Sequence, residues 1–200
     1  MSARIAVLLS CIGALCACGS TSGISEGYSL DMNPGMGVVF VSIAYSGMYT
    51  PNSIYIRKTD GGMKPFAMTF GGDTLLIPAN PSKDFSAFGY DSLGHSGALV
   101  SRDLPPGNYA VEAWSVCDRC MSDQKFSVPF TIRAGEATYA GSYEFVHKMV
   151  GLRVTGGGGT LLDEFARDRG VFEQKFPAMH GVTETDAVAG LKTPMDLGTQ

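Results

Sequence analysis

Residues 126–146 read Phe-Ser-Val-Pro-Phe-Thr-Ile-Arg-Ala-Gly-Glu-Ala-Thr-Tyr-Ala-Gly-Ser-Tyr-Glu-Phe-Val, two apolar runs on either side of a turn. Apolar and polar residues alternate in the first run, which predicts a half-buried strand, and Pro129 within it favours a sheet edge or a bulge. Ala134-Gly135-Glu136 predicts the turn. The second run predicts another strand, and because side chains alternate along a strand, one face is expected to carry Tyr139, Tyr143 and Phe145.

The same pattern of short apolar runs separated by turns extends outward over residues 37–155. Twenty-six glycines and ten prolines in 200 residues favour many turns over long helices. About nine strand-like runs without helical patterns between them predict a mainly β fold, an antiparallel β-sandwich. The other predicted strands are residues 38–45, 53–57, 66–70, 74–77, 85–90, 98–104, 109–116 and 151–155.

The β pattern stops at four consecutive glycines, residues 156–159, which predict a flexible connection. Residues 160–177 predict a helix packed on the sandwich, because apolar side chains recur on one stripe and a proline ends the pattern. Residues 178–200 show no periodicity and predict a disordered tail. The helix pattern also contains two pairs with the i,i+4 spacing of ion pairs, Asp163/Arg167 and Arg169/Glu173.

Two parts of the predicted sandwich carry a resemblance to known domains. Residues 104–109 read Leu-Pro-Pro-Gly-Asn-Tyr, which resembles the Leu-x-Pro-Gly-x-Tyr hairpin of transthyretin-like and carboxypeptidase regulatory-like β-sandwiches. Residues 130–139 resemble the final hairpin of bacterial lipoproteins built on such domains. The resemblance covers residues 37–146 and implies a fold in which each motif joins two paired strands. It implies no activity.

Residues 1–17 have the parts of a bacterial export signal: the positive Arg4, then an apolar run that is too short to span a bilayer. The stretch ends in Leu15-Cys16-Ala17-Cys18, which resembles the lipobox of bacterial lipoproteins. This resemblance implies cleavage after Ala17 and lipidation of Cys18. Two or more acyl chains, such as palmitate, anchor a protein stably in a membrane.

The segment that follows Cys18 predicts where the body of the protein lies. Residues 18–36 begin with Gly-Ser-Thr-Ser-Gly after the cysteine and predict a flexible tether. The residue after the lipidated cysteine is Gly19 and not aspartate. This resembles lipoproteins that are sorted to the outer membrane rather than retained in the inner membrane. We therefore expect a body in the bacterial cell envelope, anchored to the outer membrane and facing the periplasm.

Cys117 and Cys120 are the cysteines that remain after removal of the signal and lipidation of Cys18. In an oxidising compartment their Cys-x-x-Cys spacing predicts a short disulfide in a loop between two strands. There are two alternatives. A thioredoxin-like redox centre requires the pair at a helix N-terminus, and a structural zinc site requires four ligands.

Fifteen basic against nineteen acidic residues, a net charge of −4, argue against nucleic acid as a partner. Ser92, in Tyr-Asp-Ser-Leu, resembles the nucleophile block of GDSL hydrolases. Ser96, in Gly-His-Ser-Gly-Ala, resembles the Gly-x-Ser-x-Gly elbow, and each serine would need a base within reach. The sequence predicts instead a binding or scaffolding domain with an envelope protein as partner and without catalytic residues, cofactor or metal. A cell-envelope serine hydrolase that uses Ser92 or Ser96 is the alternative.

Overall fold

A computed structural model describes residues 23–47, 50–70, 95–117 and 119–200, with the backbone alone at residues 95 and 96. Two predicted strands, 74–77 and 85–90, lie outside the described residues. Short 3₁₀ helices are formed by Leu30–Met32 and Pro177–Met179. The other elements are β1 (Gly37–Ser46), β2 (Asn52–Lys58), β3 (Phe66–Phe70), β4 (His95–Leu104), β5 (Gly107–Ser115), β6 (Val128–Ile132), β7 (Glu136–Val150), β8 (Arg153–Leu162), α1 (Phe165–Lys175), β9 (Thr183–Asp186) and β10 (Met195–Thr199).

The described strands form two sheets. The larger has the order β10-β8-β7-β1-β4, with β9 beside the first residues of β7, and the smaller has the order β3-β2-β5-β6. Together with the single α-helix of the described chain, these sheets confirm the predicted mainly β sandwich with one C-terminal helix. The pairing is not antiparallel throughout, because β7 runs parallel to both β1 and β9. In the described part of the smaller sheet β6 is an edge strand, as Pro129 predicted.

The two turn motifs connect strands of different sheets. β4 and β7 belong to the larger sheet, whereas β5 and β6 belong to the smaller one. The prediction of hairpins at residues 104–109 and 130–139, which the resemblance implied, is therefore wrong. The chain turns at both places, but the two strands that flank each turn are not paired with each other. Gly107 has a φ of +152° and Gly135 a φ of +75°. These arches carry the chain across the sandwich, and such a crossover is what allows β7 to join β1 in parallel.

The core lies between the sheets and under the helix. Nine of the ten residues of β1 are buried, because one face of the strand meets the smaller sheet and the other is covered by α1. On the inner side, Trp114 of β5 packs against Phe145 with ring centroids 5.4 Å apart. On the outer side, Phe172 of α1 stacks on Phe40 at 4.3 Å. Burial of each such ring contributes about 2–3 kcal/mol.

A β-bulge interrupts β7. Tyr139 pairs with Phe40, and Ser142 pairs with Ser42, so three steps along β7 match two steps along β1. Gly141 takes up the extra length with a φ of +108°, a conformation that favours glycine. Without the bulge, residues three apart would point to opposite faces; with it, Tyr139 and Ser142 both point toward α1.

The bulge also separates the aromatic residues of β7. Tyr139 contacts Phe165 of α1, whereas Phe145 contacts Trp114 of the smaller sheet. Tyr143 lies on the same side as Phe145, two residues away. The predicted single face for Tyr139, Tyr143 and Phe145 is therefore wrong, because strict alternation does not hold across a bulge.

The four consecutive glycines belong to β8 and do not form the predicted flexible connection. A methyl carbon added at Gly157 would lie 2.6 Å from the Val146 carbonyl oxygen, and one added at Gly159 would lie 3.0 Å from Trp114 Nε1. The missing side chains let the β8 backbone pack directly on its neighbours, which is a known reason for glycine within a strand.

Residues 178–200 do not form the predicted disordered tail, because they supply β9 and β10 to the larger sheet. Leu197 is buried, and its carbonyl accepts a hydrogen bond from Trp114 Nε1 at 3.0 Å. Strand β9, Thr-Glu-Thr-Asp, contains no apolar residue, and β10 is five residues long. Strand β9 therefore carries no apolar alternation, and in β10 the alternation is limited to Met-Asp-Leu, shorter than the four to eight residues by which a strand is detected in sequence.

The predicted helix starts later than expected. Thr160 is still part of β8, where it pairs with Glu144, and α1 begins only at Phe165. Arg169 and Glu173 form the expected ion pair at 3.0 Å. Arg167 does not pair with Asp163 as predicted, because its nearest acid is Asp168 at 2.7 Å.

The segment before β1 is packed on the body from residue 24 onward. Ile24 N donates to the Ser101 carbonyl at 3.3 Å, and Gly135 N donates to the Met36 carbonyl at 2.9 Å. Leu30, between them, is buried. The predicted tether over residues 18–36 is therefore wrong for its second part, since backbone hydrogen bonds and an apolar contact hold that part in place.

Candidate functional site

The structure describes only some of the residues for which the sequence predicts chemistry. Cys18 and Ser92 lie outside the described residues, and Ser96 is described by its backbone, which pairs with Tyr45 in β1. His147 lies on β7, on the other side of β1 from Ser96. Its Nε2 is 2.8 Å from Asn52 Oδ1, and its ring stacks on Tyr45 at 5.1 Å. These contacts hold the imidazole between the two sheets.

Cys117 and Cys120 are joined by a disulfide, with their Cα atoms 4.9 Å apart. The bridge closes a tight loop after β5, in which Cys120 N donates to the Cys117 carbonyl at 3.1 Å. Cys120 is buried. No helix begins at this pair in the described residues around it, so the electrostatic setting of a thioredoxin-like centre is missing. Both sulfurs are occupied, and the described residues contain no cluster of three or more metal-ligating side chains.

Reduction of this disulfide is expected to lower the free energy of unfolding by about 1–2 kcal/mol, because a loop of so few residues removes little entropy from the unfolded chain. Urea titrations with and without a thiol reductant measure the difference, and the Cys117→Ser/Cys120→Ser variant serves as the control that reductant does not affect. A loss above 4 kcal/mol, or complete unfolding, would show that the bridge holds more than its own loop.

A buried polar cluster connects α1 to the larger sheet. Asp168, which is 0% exposed, accepts hydrogen bonds from the Ser42 hydroxyl and, at 2.8 Å, from the Tyr139 hydroxyl. Arg167 Nε donates to the other carboxylate oxygen of Asp168 at 2.7 Å. The Arg167 Nη2 atom reaches Ser142 Oγ at 3.0 Å and Ser42 Oγ at 3.2 Å. We call Ser42, Tyr139, Ser142, Arg167 and Asp168 the helix–sheet cluster.

The bulge at Gly141 is what brings this cluster together. It places Tyr139 and Ser142 on the same face of β7, and Ser42 lies beside them on β1. On the helix, Asp168 lies in the first turn, where the helix dipole favours a negative charge. Ser42 of β1 and Tyr139 and Ser142 of β7 therefore contact two consecutive charged residues of α1, Arg167 and Asp168.

The charges in the cluster support one another. Burial, reinforced by the adjacent Asp168 carboxylate, raises the pKa of the Tyr139 phenol, which stays a neutral donor at pH 7. Burial disfavours the charge on Arg167, but its hydrogen bond and attraction to Asp168 outweigh that effect, and the pKa of Arg167 is raised. The Asp168 carboxylate thus receives one charged and two neutral donors, as a buried charge requires.

The chemistry open to this cluster is limited by access. Ser42, Ser142 and Asp168 are buried, while the Arg167 side chain is 24% exposed. A nucleophilic serine requires space for a substrate next to its hydroxyl, and here that hydroxyl is enclosed by the helix and the sheet. The arrangement fits the attachment of α1 to the sandwich better than a reaction.

A second polar feature is an open depression of about 370 Å³ beside β9, lined by residues that include Leu30, Asp31, His180 and Thr183. Asp31 and His180 are its titratable side chains, and neither forms an ion pair within the described part of the chain. Its shallow form and few converging groups do not match an enclosed ligand pocket.

Compared with known proteins, the chain matches no protein-family model and no curated protein sequence. None of the helices in the described ranges is long and apolar enough to cross a bilayer.

Proposed function

We propose that the protein is a lipid-anchored lipoprotein of the bacterial cell envelope whose β-sandwich binds or scaffolds a protein partner. The observation that carries this proposal is the short distance along the chain between the lipobox and the packed body. Cys18 precedes Ile24, which makes the first backbone contact with the body among the described residues, by only six residues. Those residues span at most about 20 Å, so the anchor would hold the sandwich close to the membrane surface.

The binding or scaffolding role is supported by where the polar groups of the sandwich lie. The helix–sheet cluster is enclosed, and its hydroxyls and charges are engaged with one another. These groups are therefore available for attaching α1 to the sheet and not for a catalytic step. The proposed location of the protein, at the outer membrane and facing the periplasm, is supported by Gly19 and by the export signal.

The lipid anchor is tested by expressing the full chain in a bacterium with an alkyne analogue of palmitate. We expect wild type to incorporate the label, to fractionate with membranes and to have the mass of a chain cut before Cys18. Cys18→Ser is expected to lose the label, whereas Cys16→Ser, a cysteine of the predicted signal, is expected to keep it. An uncut, unlabelled wild type, or a label that persists in Cys18→Ser, would contradict the proposal.

A further inference from the structure

The end of the β7–β8 hairpin exposes an apolar surface. Val146 is 63%, Val150 is 67% and Leu152 is 86% exposed. Val150 pairs with Arg153, so the hairpin closes through two residues, Gly151 and Leu152. Gly151 has the positive φ that such turns need, +60°, but the apex position beside it carries leucine where polar residues are favoured. We call residues 146–154 the hairpin tip.

The hairpin tip is positively charged in an acidic protein. Residues 146–154 read Val-His-Lys-Met-Val-Gly-Leu-Arg-Val and contain two cations and no acid, whereas the whole chain has a net charge of −4. Lys148 and Arg153 are exposed, and Lys148 lies between Val146 and Val150 on one face of β7. Lysine and arginine beside exposed apolar side chains are typical of surfaces that enter the interface of an anionic membrane.

The opposite side of the hairpin tip is attached to the body. Val154 is buried and Met149 packs against the core, so the tip is supported rather than loose. Its apolar side chains are therefore presented on a fixed platform. An exposed group of this kind marks an interaction surface rather than a misplaced core.

We infer that the hairpin tip is a second membrane contact, which inserts Leu152 and Val150 into the interface of an anionic lipid surface while Lys148 and Arg153 meet the headgroups. The inference deepens the proposed lipid anchor and rests on it. About ten residues of strand, or about 33 Å, separate the tip from the level of Ser101, where Ile24 is bound. Since the link to Cys18 spans about 20 Å, anchor and tip reach one bilayer together when the sheet lies inclined to it.

The test places an environment-sensitive fluorophore at Leu152→Cys in the full, lipidated protein, reconstituted in phosphatidylethanolamine–phosphatidylglycerol vesicles. The control label is at Met32→Cys, an exposed position at the other end of the sandwich. Cys117 and Cys120 remain in their disulfide under non-reducing labelling. We expect the label at 152 to shift to shorter wavelength and to be quenched by brominated acyl chains, and the label at 32 to do neither. Val150→Asp is expected to abolish the quenching at 152, and Met32→Asp to leave it unchanged.

An anchored protein whose label at 152 stays in water would overturn the inference and leave the anchor intact. A shifted label that brominated lipid does not quench would also overturn it, because the tip would then be covered by protein. A mass without acyl chains would reject the proposed lipid anchor. Membrane binding by the hairpin tip is then tested separately, by co-sedimentation of the unacylated chain with the same vesicles. Wild type is expected to sediment and Leu152→Asp to remain in solution; equal sedimentation would reject the tip.

Discussion

Replacing Arg167 by methionine is expected to lower the free energy of unfolding by about 3–5 kcal/mol, because it leaves a buried carboxylate without its charged partner. Asp168 is fully buried, and in the variant it would retain only the neutral hydroxyls of Ser42 and Tyr139 as donors within the helix–sheet cluster. Methionine keeps an unbranched apolar stem in place of the arginine methylenes, so lost packing is a minor part of the effect. Urea denaturation followed by tryptophan fluorescence measures the change, since Trp114 is the single tryptophan and is buried.

Two further variants separate the effect of losing a charge from the effect of losing it in a buried pair. Arg57→Met also removes an arginine that pairs with a carboxylate. Arg57 forms two hydrogen bonds with Glu112, but this pair is on the surface, where a pair contributes about 0–1 kcal/mol. Arg167→Met/Asp168→Asn removes both charges of the buried pair, and we expect it to be more stable than Arg167→Met alone. If the double variant is no more stable than Arg167→Met, the unpaired carboxylate is not what destabilises Arg167→Met.

The sequence was sufficient for the elements whose pattern is local. The alternation of residues 126–132 and the apolar run of residues 38–45 correspond to β6 and β1, and the mainly β sandwich with one helix is confirmed. Sheet assignment is not local. Residues 104–109 turn in the same way whether the next strand pairs with the previous one or crosses to the other sheet, and only the packing of both sheets decides between them.

Packing also explains the errors near the C-terminus. Glycine weakens a strand in isolation, and the sequence of residues 156–159 therefore predicts a linker. In the fold, the missing side chains are what β8 requires, because Trp114 and the β7 backbone occupy that space. Strands β9 and β10 carry too few apolar residues to be detected, and they form because β7 and β8 offer them unpaired edges.

The contacts of the candidate site could be predicted only where the two interacting residues are close to each other in the sequence. Cys117 and Cys120 are three residues apart, and their disulfide could be proposed from spacing alone. Ser42 carried a weaker signal: a hydroxyl within a buried apolar strand needs a hydrogen-bond partner. Its partner, Asp168, lies 126 residues away on another element. This contact follows from the docking of α1 on β1, which is not visible as a sequence pattern.

Adding one methyl group at Gly157 is expected to destabilise the protein by about 2–3 kcal/mol, whereas the same change at the adjacent Gly158 is expected to shift stability by less than about 0.5 kcal/mol. The Cβ of Gly157→Ala would lie 2.6 Å from the Val146 carbonyl oxygen and 3.2 Å from Val116 Cγ2, so the backbones of β7 and β8 must separate. The Cβ of Gly158→Ala would meet Thr199 Cγ2 at 3.5 Å, an ordinary van der Waals distance.

The comparison of these two alanines decides what the glycine run does. A flexible linker would gain a few tenths of a kcal/mol from either substitution, because alanine reduces the conformational entropy of the unfolded chain. A packed strand must instead distinguish the two positions, since one side chain is directed into the β7 backbone and the other toward β10. Equal effects of Gly157→Ala and Gly158→Ala in urea denaturation would therefore argue against close packing of β8 on β7.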